Sequence, residues 1–153
     1  FPHLPEVERH MIGHLQTNKV KEAVKLFDVI QSVDSLKLAK EIDKRSQEEG
    51  KIMPVMLQVN TAGEEQKFGV PLSEAKEFYT KIMTLPNIKV VGIMTMAPLV
   101  EPEETREYFK ATKKIADELN IKEISMGMTN DYHVAVEEGS TMVRVGRDIF
   151  NPA

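Results

Sequence analysis

The stretch Ile124–Phe150, ISMGMTNDYHVAVEEGSTMVRVGRDIF, holds the pattern that decides the fold. It opens on an apolar run, ISMGM, turns through polar residues, and continues as an amphipathic segment, NDYHVAVEEG (130–139), that stops at Gly139. A second apolar run, TMVRVG (141–146), follows, and Arg147 to Phe150 begin another helical turn. Strand, helix and strand joined by such short connections imply parallel pairing. One residue stands out. Arg144 lies between Val143 and Val145, and a charge inside a β-branched run needs a partner, because burying it unpaired is very costly. That partner need not be protein. Strand alternation puts Arg144 on the face of Met142 and Gly146, opposite the two valines.

The same alternation of apolar runs and amphipathic segments extends outward through the chain. HMIGHLQ (10–16) reads as a strand or strand end, and Val20, Ala23, Val24 and Phe27 follow at helical spacing. DVIQSVD (28–34) is strand-like. Ser35 is placed to cap a helix carrying Leu38, Ala39 and Ile42 that ends at Gly50. MPVMLQVNT predicts a strand ending near Asn60, followed by the polar loop AGEEQKFG (62–69), whose charges Glu64, Glu65 and Lys67 read as solvated surface. Leu72, Ala75, Phe78, Tyr79 and Ile82 share a helix face; IKVVGIMTMAP (88–98) is a strand; Tyr108, Phe109, Thr112, Ile115, Ala116 and Leu119 share another helix face; and KEISMGM (122–128) is a strand. The order is β–α, repeated about six times, in one domain spanning residues 1–153. A doubly wound parallel sheet and a (β/α)8 barrel both fit it. No GxGxxG or GxxxxGK[ST] follows the first strand, so a Rossmann or P-loop site has no support.

Composition narrows the classes. With 41% hydrophobic and 29% charged residues, a folded chain is expected rather than a disordered one. The net charge of −4 argues against nucleic acid as a main partner. The absence of cysteine excludes disulfides, thiol nucleophiles and Cys-based zinc sites. No apolar run approaches the roughly 18 residues that span a bilayer, and no signal-peptide pattern is visible. A cytoplasmic location without a membrane partner is therefore expected. The chain begins Phe-Pro-His, without an initiator methionine, as a processed chain or a piece of a longer protein would.

From HMIGHLQTNKVK (10–21) the chain closely resembles the signature of the pyridoxal-phosphate homeostasis proteins, the YggS/PROSC family. LQVNTAGEEQKFGV, GIMTMAP and SMGMTNDYHVAVEEGSTMVRVGRDIF resemble the same family in the same order, so the match runs through essentially the whole chain. The resemblance implies a parallel (β/α)8 TIM-type barrel like the N-terminal domain of alanine racemases, seen here as about its last six βα units. It implies binding of pyridoxal 5′-phosphate (PLP), in the family through a Schiff base, and a carrier or regulator of that cofactor without turnover of its own. Arg9 stands where the family usually has an aromatic residue. Segments like AVSKTK, which carries the family's Schiff-base lysine, and GENRVQE are not in this sequence, and Lys19 and Lys21, in the signature after the third strand, do not take that role. The expectation is that an N-terminal segment of the same protein, covalent or separate, completes the barrel and brings the lysine. Without it, unpaired edges invite association; the assembled protein is expected to be a monomer or weak dimer.

Within this frame Arg144 is expected to donate a hydrogen bond to the pyridine nitrogen of PLP; a structural ion pair is the competing reading. In (β/α)8 proteins phosphates often bind in the loops after strands seven and eight, at a short helix N-terminus. Here Gly127 and Gly146 allow close backbone approach, Ser125 and Thr129 offer hydroxyls, and helices beginning near Asn130 and Arg147 point their positive ends at the same region. Thr129 and Asn130 could instead be helix caps. His10 and His14 fall on one face of a straight strand; His10 could approach the cofactor or hold Arg144, and His14 is the weaker candidate. The nine methionines are mostly core filler, with Met126 placed to pack against the pyridine ring. Two other classes compete: an amino-acid racemase-type PLP enzyme, for which the chain shows no extra domain to bring a second base, and a phosphate-binding barrel remnant that holds no PLP.

Overall fold

The structure, a computed structural model, describes residues 5–63 and 68–150. The loop charges Glu64, Glu65 and Lys67 lie outside the described residues. The described residues form seven strands: β1 (His10–Met11), β2 (Val29–Val33), β3 (Met53–Asn60), β4 (Val70–Pro71), β5 (Ile88–Thr95), β6 (Glu123–Met128) and β7 (Met142–Arg144). They alternate with helices α1 (Val20–Leu26), α2 (Leu36–Glu48), α3 (Ala75–Ile82), α4 (Arg106–Glu118), α5 (Tyr132–Glu137) and α6 (Arg147–Phe150). Every strand pairing is parallel, in the order β1-β2-β3-β5-β6-β7. The short β4, absent from the sequence reading, pairs with the end of β3 through Val59↔Val70. It is held there by Gly69 N, which donates to Asp34 Oδ2 at 2.9 Å.

Helices α1 to α5 pack on one face, while α6 buries no residue. Val20 and Val24 of α1, Leu38 and Ile42 of α2, Ala75 and Ile82 of α3, Phe109 of α4 and Val134 of α5 join Ile30, Val55, Leu57, Ile93 and Ile124 of the strands in one core. The other face carries its own small cluster, Val29, Met56 and Met94 with Val91 and Met142 against it, and among the described residues no helix residue enters it. A doubly wound sheet needs helices on both faces; this sheet instead curls so that its inner face covers itself. The result is a half-barrel of parallel strands. A closed eight-stranded barrel is not what the described strands form: β1 and β7 stand at the two ends of the strand order.

Local chemistry explains the elements. β2 is buried along its whole length and β3 nearly so, as for parallel strands covered on both faces. Ser35 caps α2, its hydroxyl accepting from Leu38 N at 3.1 Å. Gly92 lies where β5 meets β6: a Cβ there would sit 2.9 Å from the Glu123 carbonyl oxygen. The register of β6 against β7 shifts between Ser125 and Met128, the stretch that holds Gly127. The first strand is shorter than HMIGHLQ suggested. It ends at Met11, so His10 and His14 do not share a strand face. No described helix is long and apolar enough to cross a membrane.

Candidate functional site

In an all-parallel sheet the carboxyl ends of the strands lie at one rim, and this rim carries a cavity of about 380 Å³. Ile12 and His14 follow β1, Gln58 and Asn60 end β3, Met96 and Leu99 follow β5, Asn130 and Asp131 follow β6, and Arg147 follows β7. His14 is part of the wall, its ring stacked on Phe68 with centroids 3.8 Å apart. Among the described residues no lysine lines this cavity. An ion-pair cluster ties α4 to the end of α5: Arg106 at the start of α4 holds Glu137, the last residue of α5, and Glu138 after it, both at 2.7 Å, and Glu103 at 2.5 Å. These contacts raise the Arg106 pKa, through Glu103 first, and lower that of Glu103.

On the inner face a chain of hydrogen bonds runs from β1 to β7. His10 Nε2 meets Glu8 Oε1 at 2.5 Å, and His10 Nδ1 lies 2.8 Å from Gln31 Nε2. The other end of that amide, Gln31 Oε1, accepts from the Ser125 hydroxyl at 2.6 Å. Ser125 Oγ in turn accepts from an Arg144 terminal nitrogen at 2.6 Å, while the second terminal nitrogen donates to the Thr95 carbonyl at 2.8 Å. Gln31 is 1% exposed and Ser125 fully buried, so each needs these partners.

Arg144 is the anomaly at the end of this chain. Its two terminal nitrogens are hydrogen-bonded to neutral oxygens, and its Nε is buried with no partner. Burial pushes its pKa down to about 10, against a smaller opposing pull from Asp131. The group therefore stays charged at neutral pH. A buried charged donor left unmatched is expensive, and an acceptor arriving at Nε would relieve that cost.

The structure brings together Ser125, Arg144 and, through Gln31, His10. Arg144 faces inward with Met142, as alternation required. Other expectations need correction. Met126 lies fully buried in the helix-facing core and does not line the cavity, because it alternates with Ser125 on β6. Ser125 does not offer a free hydroxyl to a phosphate, since its oxygen both donates to Gln31 and accepts from Arg144. Gly127 has a packing reason as well: its φ is +102°, and a Cβ there would lie 2.8 Å from Ala135 Cβ. Thr129 and Asn130 do not cap α5. The cap position is Asp131, whose Oδ1 accepts from Met128 N at 2.7 Å. Gly146 has open space around its Cα, and Arg147 is exposed at the cavity wall. Sequence reasoning passed over Gln31, Thr95 and Gln58. The available signal was a polar residue inside each of the runs VIQSV, GIMTM and VMLQV.

The alanine racemase N-terminal domain family is matched over residues 3–152. A pyridoxal phosphate homeostasis protein of Aquifex aeolicus is 42% identical over 152 residues, which cover 95% of this chain and 67% of that protein. The structure of PipY from Synechococcus elongatus with PLP bound superposes with a TM-score of 0.89 at 34% identity, covering 98% of this chain and 73% of PipY. An alanine racemase of Clostridium difficile has a TM-score of 0.79 at 15% identity, covering 97% of this chain and 41% of the racemase, a likeness of fold. A protein from Bifidobacterium adolescentis is 40% identical with a TM-score of 0.88, covering 92% of this chain, and the chain spans 60% of it.

Proposed function

Because the chain belongs to the alanine racemase N-terminal domain family, we propose that it binds pyridoxal 5′-phosphate and acts in the homeostasis of that cofactor, as a carrier rather than an enzyme. The observation that carries this reading is Arg144: half-buried, charged, and with a buried Nε that has no hydrogen-bond partner. The pyridine nitrogen of PLP is an acceptor of the right kind. When bound, PLP supplies an aldehyde and a ring able to accept electrons. Arg144 only donates, so a ring nitrogen facing it stays unprotonated and the ring is a poorer electron sink. That suits holding the aldehyde better than driving carbanion chemistry. PipY, at 34% identity, has been solved with PLP bound, and this supports the same ligand here.

The phosphate belongs, in this reading, between the turn at Gly127–Thr129 and the turn at Gly146–Arg147. Support comes from the exposed Arg147 at the cavity wall and from the open space at Gly146. The test compares two ligands. Thr129→Ala with Arg147→Ala is expected to weaken PLP by about 10-fold or more, the size of a lost charge-assisted hydrogen bond, and to leave unphosphorylated pyridoxal nearly unchanged. Equal losses for the two ligands would remove the phosphate from these loops.

The finer fold proposal is a (β/α)8 barrel of which the described strands form an arc. The chain spans 67% of its Aquifex aeolicus relative, and among the described residues β1 and β7 each have one strand neighbour. A preceding segment of the same protein would supply the strands that close the barrel. A structure of the protein with that segment, in which neither edge gains a strand, would contradict the closure.

A further inference from the structure

With the Gln31 amide oriented as it is and His10 neutral, the hydrogen bonds of the inner face run in one direction. Arg144 cannot accept, so Ser125 Oγ accepts from it and spends its own proton on Gln31 Oε1. That leaves the Gln31 amide nitrogen facing His10 Nδ1 and Met142 Sδ, at 2.8 and 3.2 Å. An amide NH2 donates only, so Nδ1 of neutral His10 is the bare acceptor and its proton sits on Nε2. There it points at Glu8 Oε1, 2.5 Å away. The direction of every bond from Glu8 to Arg144 follows from the charge at one end and the carboxylate at the other.

Building on the PLP reading, we propose that Gln31 is a positioning residue. Its amide, oriented by the Nε2–H form of His10, fixes the Ser125 hydroxyl, and Ser125 together with the Thr95 carbonyl occupies both terminal nitrogens of Arg144. Nε is then the donor left for a ligand. Gln31 itself touches no ligand; it acts through Ser125 on the orientation of the guanidinium, and so on recognition of a ring nitrogen.

Two measurements test this. The first is made on ligand-free protein and does not depend on what the ligand is. Nitrogen NMR of His10, at a pH where the ring is neutral, is expected to show a bare Nδ1. In Gln31→Glu the carboxylate still accepts from Ser125 but cannot donate to His10, so Nδ1 becomes protonated. An Nδ1–H form in the wild type, or a bare Nδ1 in Gln31→Glu, overturns the assigned polarity. The second compares PLP with its analogue carrying carbon in place of the ring nitrogen. Gln31→Leu is expected to weaken PLP about 10-fold, the loss of one hydrogen bond to a charged group, while changing the carbon analogue less than threefold or so. Gln31→Glu, which keeps the acceptor for Ser125, stays within about threefold of wild type for both. Equal losses of the two ligands in Gln31→Leu, or none, overturn the positioning role. If Gln31→Leu does not fold, Ser125→Ala makes the same comparison, because it cuts the link to Arg144 and leaves the Gln31–His10 pair in place. Failure of wild-type protein to bind PLP would instead count against the cofactor reading and leave the NMR result to decide the relay.

Discussion

Replacing Arg144 by alanine is expected to lower affinity for PLP by on the order of 100-fold, the effect of losing a hydrogen bond from a buried charged group at its upper range. Stability should respond much less. Burial has already pushed the Arg144 pKa down to about 10, which means the folded protein holds this charge at a cost. Removing it relieves that cost while leaving the Thr95 carbonyl without its guanidinium partner, and the two effects oppose each other. Arg144→Lys is not a rescue: one ammonium cannot meet Ser125, the Thr95 carbonyl and a ligand as a planar fork does. Calorimetric titration beside thermal melting reads both quantities. An Arg144→Ala protein with wild-type affinity for PLP would show that the orphaned Nε does not meet the ligand.

The second large effect is on folding. Gly127→Val puts a β-branched side chain at φ +102°, with its Cβ 2.8 Å from Ala135 Cβ and 3.0 Å from Tyr132 Cα. Backbone strain of about 1–3 kcal/mol combines with overpacking of about 1–3 kcal/mol. For a domain of this size that corresponds to a melting temperature lower by roughly 10 °C. Gly127→Ala meets the same backbone strain and the same Cβ contact, and should lose somewhat less. A Gly127→Val protein melting within about 2 °C of wild type would mean that α5 does not approach β6 as closely as the structure has it.

Those two residues show what the sequence made legible and what it did not. The parallel α/β alternation was readable because each strand is a short apolar run and each helix has one apolar face, as in DVIQSVD followed by the Ser35-capped helix. Arg144 was readable because alternation fixes its face and a charge among valines demands a partner. Met126 misled because an apolar residue in a loop-facing motif looks the same whether it turns to the helices or to the interior. Only the register, with Ser125 inward, decides it. His14 lies elsewhere than strand alternation placed it. The chain leaves the strand after Met11, which carries His14 to the rim against Phe68, and strand alternation cannot foresee where an irregular segment ends. Gln31 escaped notice because its importance lies in partners far away in sequence, His10 and Ser125. The closeness of β1, β2, β6 and β7 across the inner face comes from the curl of the sheet, which no local pattern encodes.

The central claim is that this chain holds PLP with Arg144 at the ring nitrogen. Titration of the purified protein with PLP, followed by heat or by the absorbance of the cofactor, tests it most directly. The account predicts saturable binding of one PLP per chain, and weaker binding of the analogue with carbon in place of the ring nitrogen. No saturable binding at millimolar PLP, or equal affinity for PLP and the carbon analogue, would contradict it.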